Sequence, residues 1–109
     1  SSGEREIIMP EVIRKDFVSA SNINIVREAM RAAVVSGSAR SLNSLPVMVA
    51  GKTGTAQWNS NKENHAWFTA FAPYNNPNFT ITVLVEEGGE GSAAATPIAR
   101  EILTYWFSK

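Results

Sequence analysis

At 109 residues and 44% hydrophobic content, the chain is long enough for one small globular unit and no more. Ten Lys and Arg against ten Asp and Glu give zero formal charge, which leaves out the electrostatic footprint of a binder of nucleic acid or of an anionic membrane. With no cysteine and one histidine, His65, the composition excludes a disulfide framework, a thiolate nucleophile and a histidine-rich metal site.

No apolar stretch approaches the roughly 20 residues that span a bilayer, and Ser1-Ser2-Gly3-Glu4 lacks a signal-peptide core. No membrane contact is expected of this segment, and any anchor is expected outside it. Ser1-Ser2-Gly3 reads as an expression scar or linker, and residues 4–19, with Ile7-Ile8 and Val12-Ile13 around Pro10, as an extended connection. Ser21-Asn22 offers capping side chains, after which Ile23, Val26, Ala29, Met30, Ala33 and Val34 recur at helical spacing until Ser36-Gly37. That spacing predicts an amphipathic helix of about four turns. Residues 38–45 read as a loop, and Pro46 fits the first position of a strand that runs to Gln57.

Residues 58–64 are polar and connect to Ala66-Trp67-Phe68-Thr69-Ala70-Phe71-Ala72, which is apolar on both faces and is expected to be a strand covered on both sides. Pro73-Tyr74-Asn75-Asn76-Pro77 is a turn. In residues 79–86, Phe79, Ile81, Val83 and Val85 alternate with other side chains, giving a third strand that Glu87-Gly88-Gly89-Glu90-Gly91 breaks. Thr96-Pro97 supplies a cap and a first-turn proline for a helix with Ile98, Ala99, Ile102, Leu103 and Trp106 in one stripe; a start nearer Ser92 is the alternative. Short connections favour an antiparallel three-stranded meander packed by two helices, an α+β unit. Trp67, Phe68, Phe71, Trp106 and Phe107 are assigned to its core.

The chemistry concentrates in Gly51-Lys52-Thr53-Gly54-Thr55-Ala56-Gln57. On an extended chain, Lys52 and Gly54 fall on one face and Thr53 and Thr55 on the other, so the two hydroxyls can share one anion. Gly54 bares the backbone for a ligand that pairs with it as an added strand. Gly51-Lys52-Thr53 also invites a phosphate-loop reading, but the glycine such a loop needs five residues earlier is Pro46 here. An edge-strand lysine that blocks aggregation, beside threonines suited to a strand, explains the same residues without a ligand.

Lys52-Thr53-Gly54-Thr55-Ala56-Gln57, then His65-Ala66-Trp67-Phe68 and Phe71-Ala72-Pro73-Tyr74-Asn75-Asn76-Pro77, resemble the end of the transpeptidase domain of class B penicillin-binding proteins. Gly37-Ser38-Ala39 and Glu87-Gly88-Gly89-Glu90-Gly91 fit the same pattern, which covers about residues 21–107 and is most similar to the penicillin-binding protein 2 branch that serves cell elongation. The resemblance implies that residues 21–109 are the C-terminal part of a β-lactamase/transpeptidase-like domain, preceded by a scar and connection over residues 1–20. Such domains carry Ser-x-x-Lys, Ser-x-Asn and Lys-Thr-Gly signatures. No serine here has a lysine three positions later, and although Ser41-Leu42-Asn43 spells the second signature, the family places it much farther upstream, on the other side of the site, so the match is taken as chance. The nucleophile is therefore expected from a missing N-terminal part, and this chain alone is expected to be inactive.

By the same resemblance, Lys52 is the catalytic cation of a serine D,D-transpeptidase, Thr53 and Thr55 bind the substrate carboxylate, and Gly54 keeps the approach open. The Thr55 backbone N–H contributes to the oxyanion hole. The implied partners are a peptidoglycan stem peptide ending in D-Ala-D-Ala and β-lactam antibiotics, with no metal or other cofactor. The implied location is the extracytoplasmic, or periplasmic, face of the membrane, where an N-terminal transmembrane helix outside this chain anchors the parent. A penicillin-hydrolysing or penicillin-sensing relative, and a non-catalytic module that binds peptides or partners along its edge strand, are the alternatives. His65 reads as structural, and Trp58 as either a groove-mouth residue or a loop anchor. The Asn78-Phe79-Thr80 sequon is explained by a turn into a strand.

Overall fold

The computed structural model describes residues 3–109, so the reading of Ser1-Ser2 as scar lies outside the described residues. Helix α1 (Ala20–Val35) leads to a 3-10 turn (Arg40–Ser44), then strands β1 (Ala50–Ala56), β2 (His65–Ala72) and β3 (Phe79–Val85). A π-helical turn (Gly91–Ala95) runs into helix α2 (Thr96–Phe107). The three strands form one antiparallel sheet in the order β1-β2-β3, so the expected α+β meander with two helices is the observed architecture. The register runs from Ala50 opposite Phe71 to Ala56 opposite His65, and from Ala66 opposite Val85 to Ala72 opposite Phe79.

Each element begins where its backbone groups find partners. Helix α1 starts before the expected Ser21-Asn22 cap, because the Ser19 hydroxyl accepts the Asn22 N–H at 3.2 Å. Strand β1 starts at Ala50 rather than Pro46; just before it, Met48 O accepts from Tyr74 N at 2.8 Å and Val49 O from Arg31 Nη1 at 2.7 Å. Thr96 opens α2 without capping it. Its buried hydroxyl donates to Gly91 O at 3.1 Å, so the wide turn from Gly91 takes the place of a simple cap and realises the alternative start near Ser92.

The core lies on one face of the sheet. Ala66, Phe68, Ala70 and Ala72 of β2 alternate inward with Val83 of β3, and Ala95, Ala99 and Leu103 close over them. Val34, Ala39, Leu42 and Val49 join the same cluster, while Phe79 stacks on Trp106 with ring centroids 4.9 Å apart. Helix α1 covers part of the opposite face, packing mainly along β1. There the Arg27 guanidinium lies 5.2 Å from the Phe71 and Tyr74 ring centroids and donates to Tyr74 O at 2.7 Å.

Coverage on that second face is incomplete, and this corrects two expectations. Strand β2 is buried on one side only: Phe68 is fully buried, whereas Trp67, pointing the other way, is 39% exposed. Trp106 is likewise 46% exposed, because it flanks Phe79 at the rim of α2 and does not enter the core. Of the six-residue stripe on α1, only Val34 is buried. Val26, Ala29, Met30 and Ala33 instead line an open groove of about 840 Å³ together with Ser38, Lys52 and Thr69.

Candidate active site

Among the described residues, strand β1 pairs only with β2, which leaves its other edge without a strand partner. The pairing of Lys52 with Thr69, and of Thr53 with Phe68, sets the lysine on the α1 side of the sheet and the threonines on the core side, as alternation requires. Lys52 Nζ donates to Thr53 O at 2.6 Å; the β1–β2 pairing leaves that carbonyl on the open side of the strand. Residues two apart on an antiparallel edge strand point their backbone groups the same way, so the Thr55 N–H is on the open side as well.

Each threonine hydroxyl has a partner from a distant loop. Thr53 Oγ1 lies 2.9 Å from Ser38 Oγ, just beyond the end of α1. Thr55 Oγ1 donates to Glu90 Oε2 at 3.2 Å, from the segment between β3 and α2. Gly91 makes the second approach possible: a Cβ there would sit at or below 3.0 Å from the Trp67 and Gly54 carbonyl oxygens and the Gly54 nitrogen. Gly54 itself leaves space on the other face, where a Cβ would meet only Trp67 Cβ, at 3.3 Å.

The β1–β2 connection closes the end of the sheet. Trp58 stacks on His65 with centroids 4.9 Å apart and donates from Nε1 to Glu63 O at 3.0 Å, which makes it a loop anchor. His65 Nδ1 accepts the Glu87 N–H at 3.0 Å, in keeping with a structural histidine. The structure thus brings Lys52, Thr53, Gly54 and Thr55 together on one free strand edge beside the α1 groove. It adds Ser38 and Glu90, to which sequence reasoning gave no role. Both lie in runs that fit the family pattern, Gly37-Ser38-Ala39 and Glu87-Gly88-Gly89-Glu90-Gly91.

A cation, two hydroxyls on one face and an exposed backbone edge suit the binding of a carboxylate-bearing peptide. The family comparison agrees with that geometry. Residues 3–104 match the model of the penicillin-binding protein transpeptidase domain. The chain belongs to the penicillin-binding protein transpeptidase family. Its similarities place it in the class B, penicillin-binding protein 2 branch. The peptidoglycan D,D-transpeptidase MrdA of Haemophilus influenzae is 45% identical over 56% of this chain and 12% of that protein. Penicillin-binding protein 2 of Pseudomonas aeruginosa, solved in complex with WCK 5153, is 35% identical over 90% of this chain and 21% of that one, with a TM-score of 0.71. Penicillin-binding protein A of Mycobacterium tuberculosis, solved as an imipenem acyl-enzyme complex, is 32% identical over 82% of this chain and 20% of that one, with a TM-score of 0.65. This stretch of penicillin-binding protein transpeptidase thus spans about an eighth of the curated relative's length, 12%.

Proposed function

We propose that the chain is the C-terminal part of a peptidoglycan D,D-transpeptidase and supplies one wall of its active site, while the acylating serine comes from a preceding part of the domain. The observation that carries this reading is the free edge of β1, where Lys52, Thr53, Gly54 and Thr55 stand in register beside an open groove.

In this reading the Thr53 and Thr55 hydroxyls hold the carboxylate of a stem peptide ending in D-Ala-D-Ala, or of a β-lactam that imitates it. The edge N–H of Thr55 stabilises the oxyanion of the tetrahedral intermediate, which asks for a fixed donor in a site shielded from water. Lys52 provides the positive charge that draws the carboxylate in and favours proton transfer to the leaving amine. The hydroxyl of the acylating serine attacks the D-Ala-D-Ala carbonyl, the terminal D-Ala leaves, and an amine of a second stem peptide resolves the ester into a cross-link. The apolar groove along α1 receives the part of the domain that carries the serine. The parent works on the extracytoplasmic face of the membrane, anchored by a helix outside this chain; among the described residues no helix is long and apolar enough to cross a bilayer.

The test is fluorescent penicillin offered to this chain alone and to the complete domain, with the adduct read by mass spectrometry. One adduct on the complete domain and none on the isolated chain is expected. Labelling of the isolated chain would refute the division of labour, and an unlabelled complete domain would refute the function.

A further inference from the structure

We infer that Glu90 is a specificity-determining residue that competes with the ligand's terminal carboxylate for the Thr55 hydroxyl; the inference rests on the assignment of Thr55 to the carboxylate subsite. Thr55 has one hydroxyl proton, and it is given to Glu90 Oε2 at 3.2 Å. Thr53 differs. Its partner, Ser38 Oγ at 2.9 Å, is itself a hydroxyl that can donate, which leaves the Thr53 proton available to an anion.

The placement of Glu90 is built in from both sides. Before it, the Glu87 N–H is held by His65 Nδ1 at 3.0 Å and the Gly89 N–H by Asn64 O at 2.9 Å, with Gly89 at φ +86°. After it, Gly91 is wedged against Gly54 and Trp67, and its carbonyl accepts from the buried Thr96 hydroxyl. The Glu90 carbonyl in turn accepts the Ala93 and Ala94 N–H groups at 3.1 and 2.9 Å. The backbone of residues 87–91 is therefore a strap across the end of the sheet, and Glu90 is its one side chain bonded to β1. No lysine, arginine or histidine forms an ion pair with Glu90 among the described residues, so its charge is not neutralised locally.

A ligand carboxylate that takes the Thr55 proton must displace Glu90 and bring a second negative charge next to the first, and like charges in contact disfavour binding. A ligand neutral at that end meets no such opposition. The chain should therefore discriminate less strongly for free carboxylates over their esters than its two threonines and one lysine alone would dictate.

The experiment measures second-order acylation rate constants of the complete parent protein with benzylpenicillin and with its methyl ester. Glu90→Gln and Glu90→Ala are compared with wild type, and all are checked for equal melting temperature. Both variants should raise the acid-to-ester rate ratio, about twofold to fivefold, the scale of a partly screened charge contact. An unchanged or lowered ratio overturns the role of Glu90. If Thr55→Val leaves the wild-type ratio intact, the carboxylate subsite itself is misassigned, and both readings fall. If Thr55→Val lowers the ratio and the Glu90 variants do not raise it, the subsite stands and Glu90 alone is excluded.

Discussion

Ser38 Oγ and Thr53 Oγ1 meet at 2.9 Å, so the turn that ends α1 and the lysine strand are joined through two hydroxyls 15 residues apart. This contact ties the wall of the groove to the face of the proposed carboxylate subsite. It also gives Ser38 a role that its place in a loop would not suggest.

Ser38→Ala should weaken the subsite without unfolding the protein. Losing one exposed hydroxyl contact is worth about 1 kcal/mol, so acylation of the complete domain by benzylpenicillin should fall roughly fivefold. Ser38→Thr keeps the hydroxyl and should stay near wild type. Equal rates for the alanine and threonine variants would show that the contact positions nothing.

Lys52→Ala should suppress acylation much more, by about a hundredfold, as expected for loss of a group that assists proton transfer and charge stabilisation. Thr55→Ala should cost less, because it removes the hydroxyl and keeps the backbone N–H. Stopped-flow acylation of both variants ranks them, and a near-normal lysine variant would sink the site assignment.

Gly91→Ala tests the strap. Its Cβ would press on backbone oxygens of Trp67 and Gly54, neither of which can rotate away. Either the strap lifts or the β1–β2 pair opens, and overpacking of this kind costs about 1–3 kcal/mol. Urea unfolding of the complete domain should show that loss, together with altered acylation kinetics.

The neighbours Phe68 and Trp67 should part company on truncation. Phe68 is fully buried and its ring covers Gly51, so Phe68→Ala should cost about 3–5 kcal/mol. Trp67→Ala, on the open side, should cost clearly less in this chain. Denaturation midpoints of the isolated chain measure both, and equal losses would contradict the one-sided core.

The order of elements is legible in the sequence because each strand and helix carries its own period, and Ser36-Gly37, residues 73–77 and residues 87–91 punctuate them. The Lys52-Thr53-Gly54-Thr55 constellation is legible because alternation on a strand is local geometry. What stays hidden depends on approaches across the fold. Glu90 reaches Thr55 from 35 residues away, and Arg31 reaches the Val49 carbonyl from 18. The burial of Trp67 and Trp106 is misjudged for a related reason: hydrophobicity says that a side chain seeks cover, and the covering element must be present to provide it.

Arg27 and Arg31 reach from one helix to two separate carbonyls, those of Tyr74 and Val49, and Ser38 adds a third tie beyond the helix end. Three anchors along one rod leave it little freedom to swing, so the width of the groove is set before anything enters. A segment that docks there meets a rigid mould and itself bears most of the ordering cost, the condition under which two parts of a divided domain associate with little rearrangement of the receiving half.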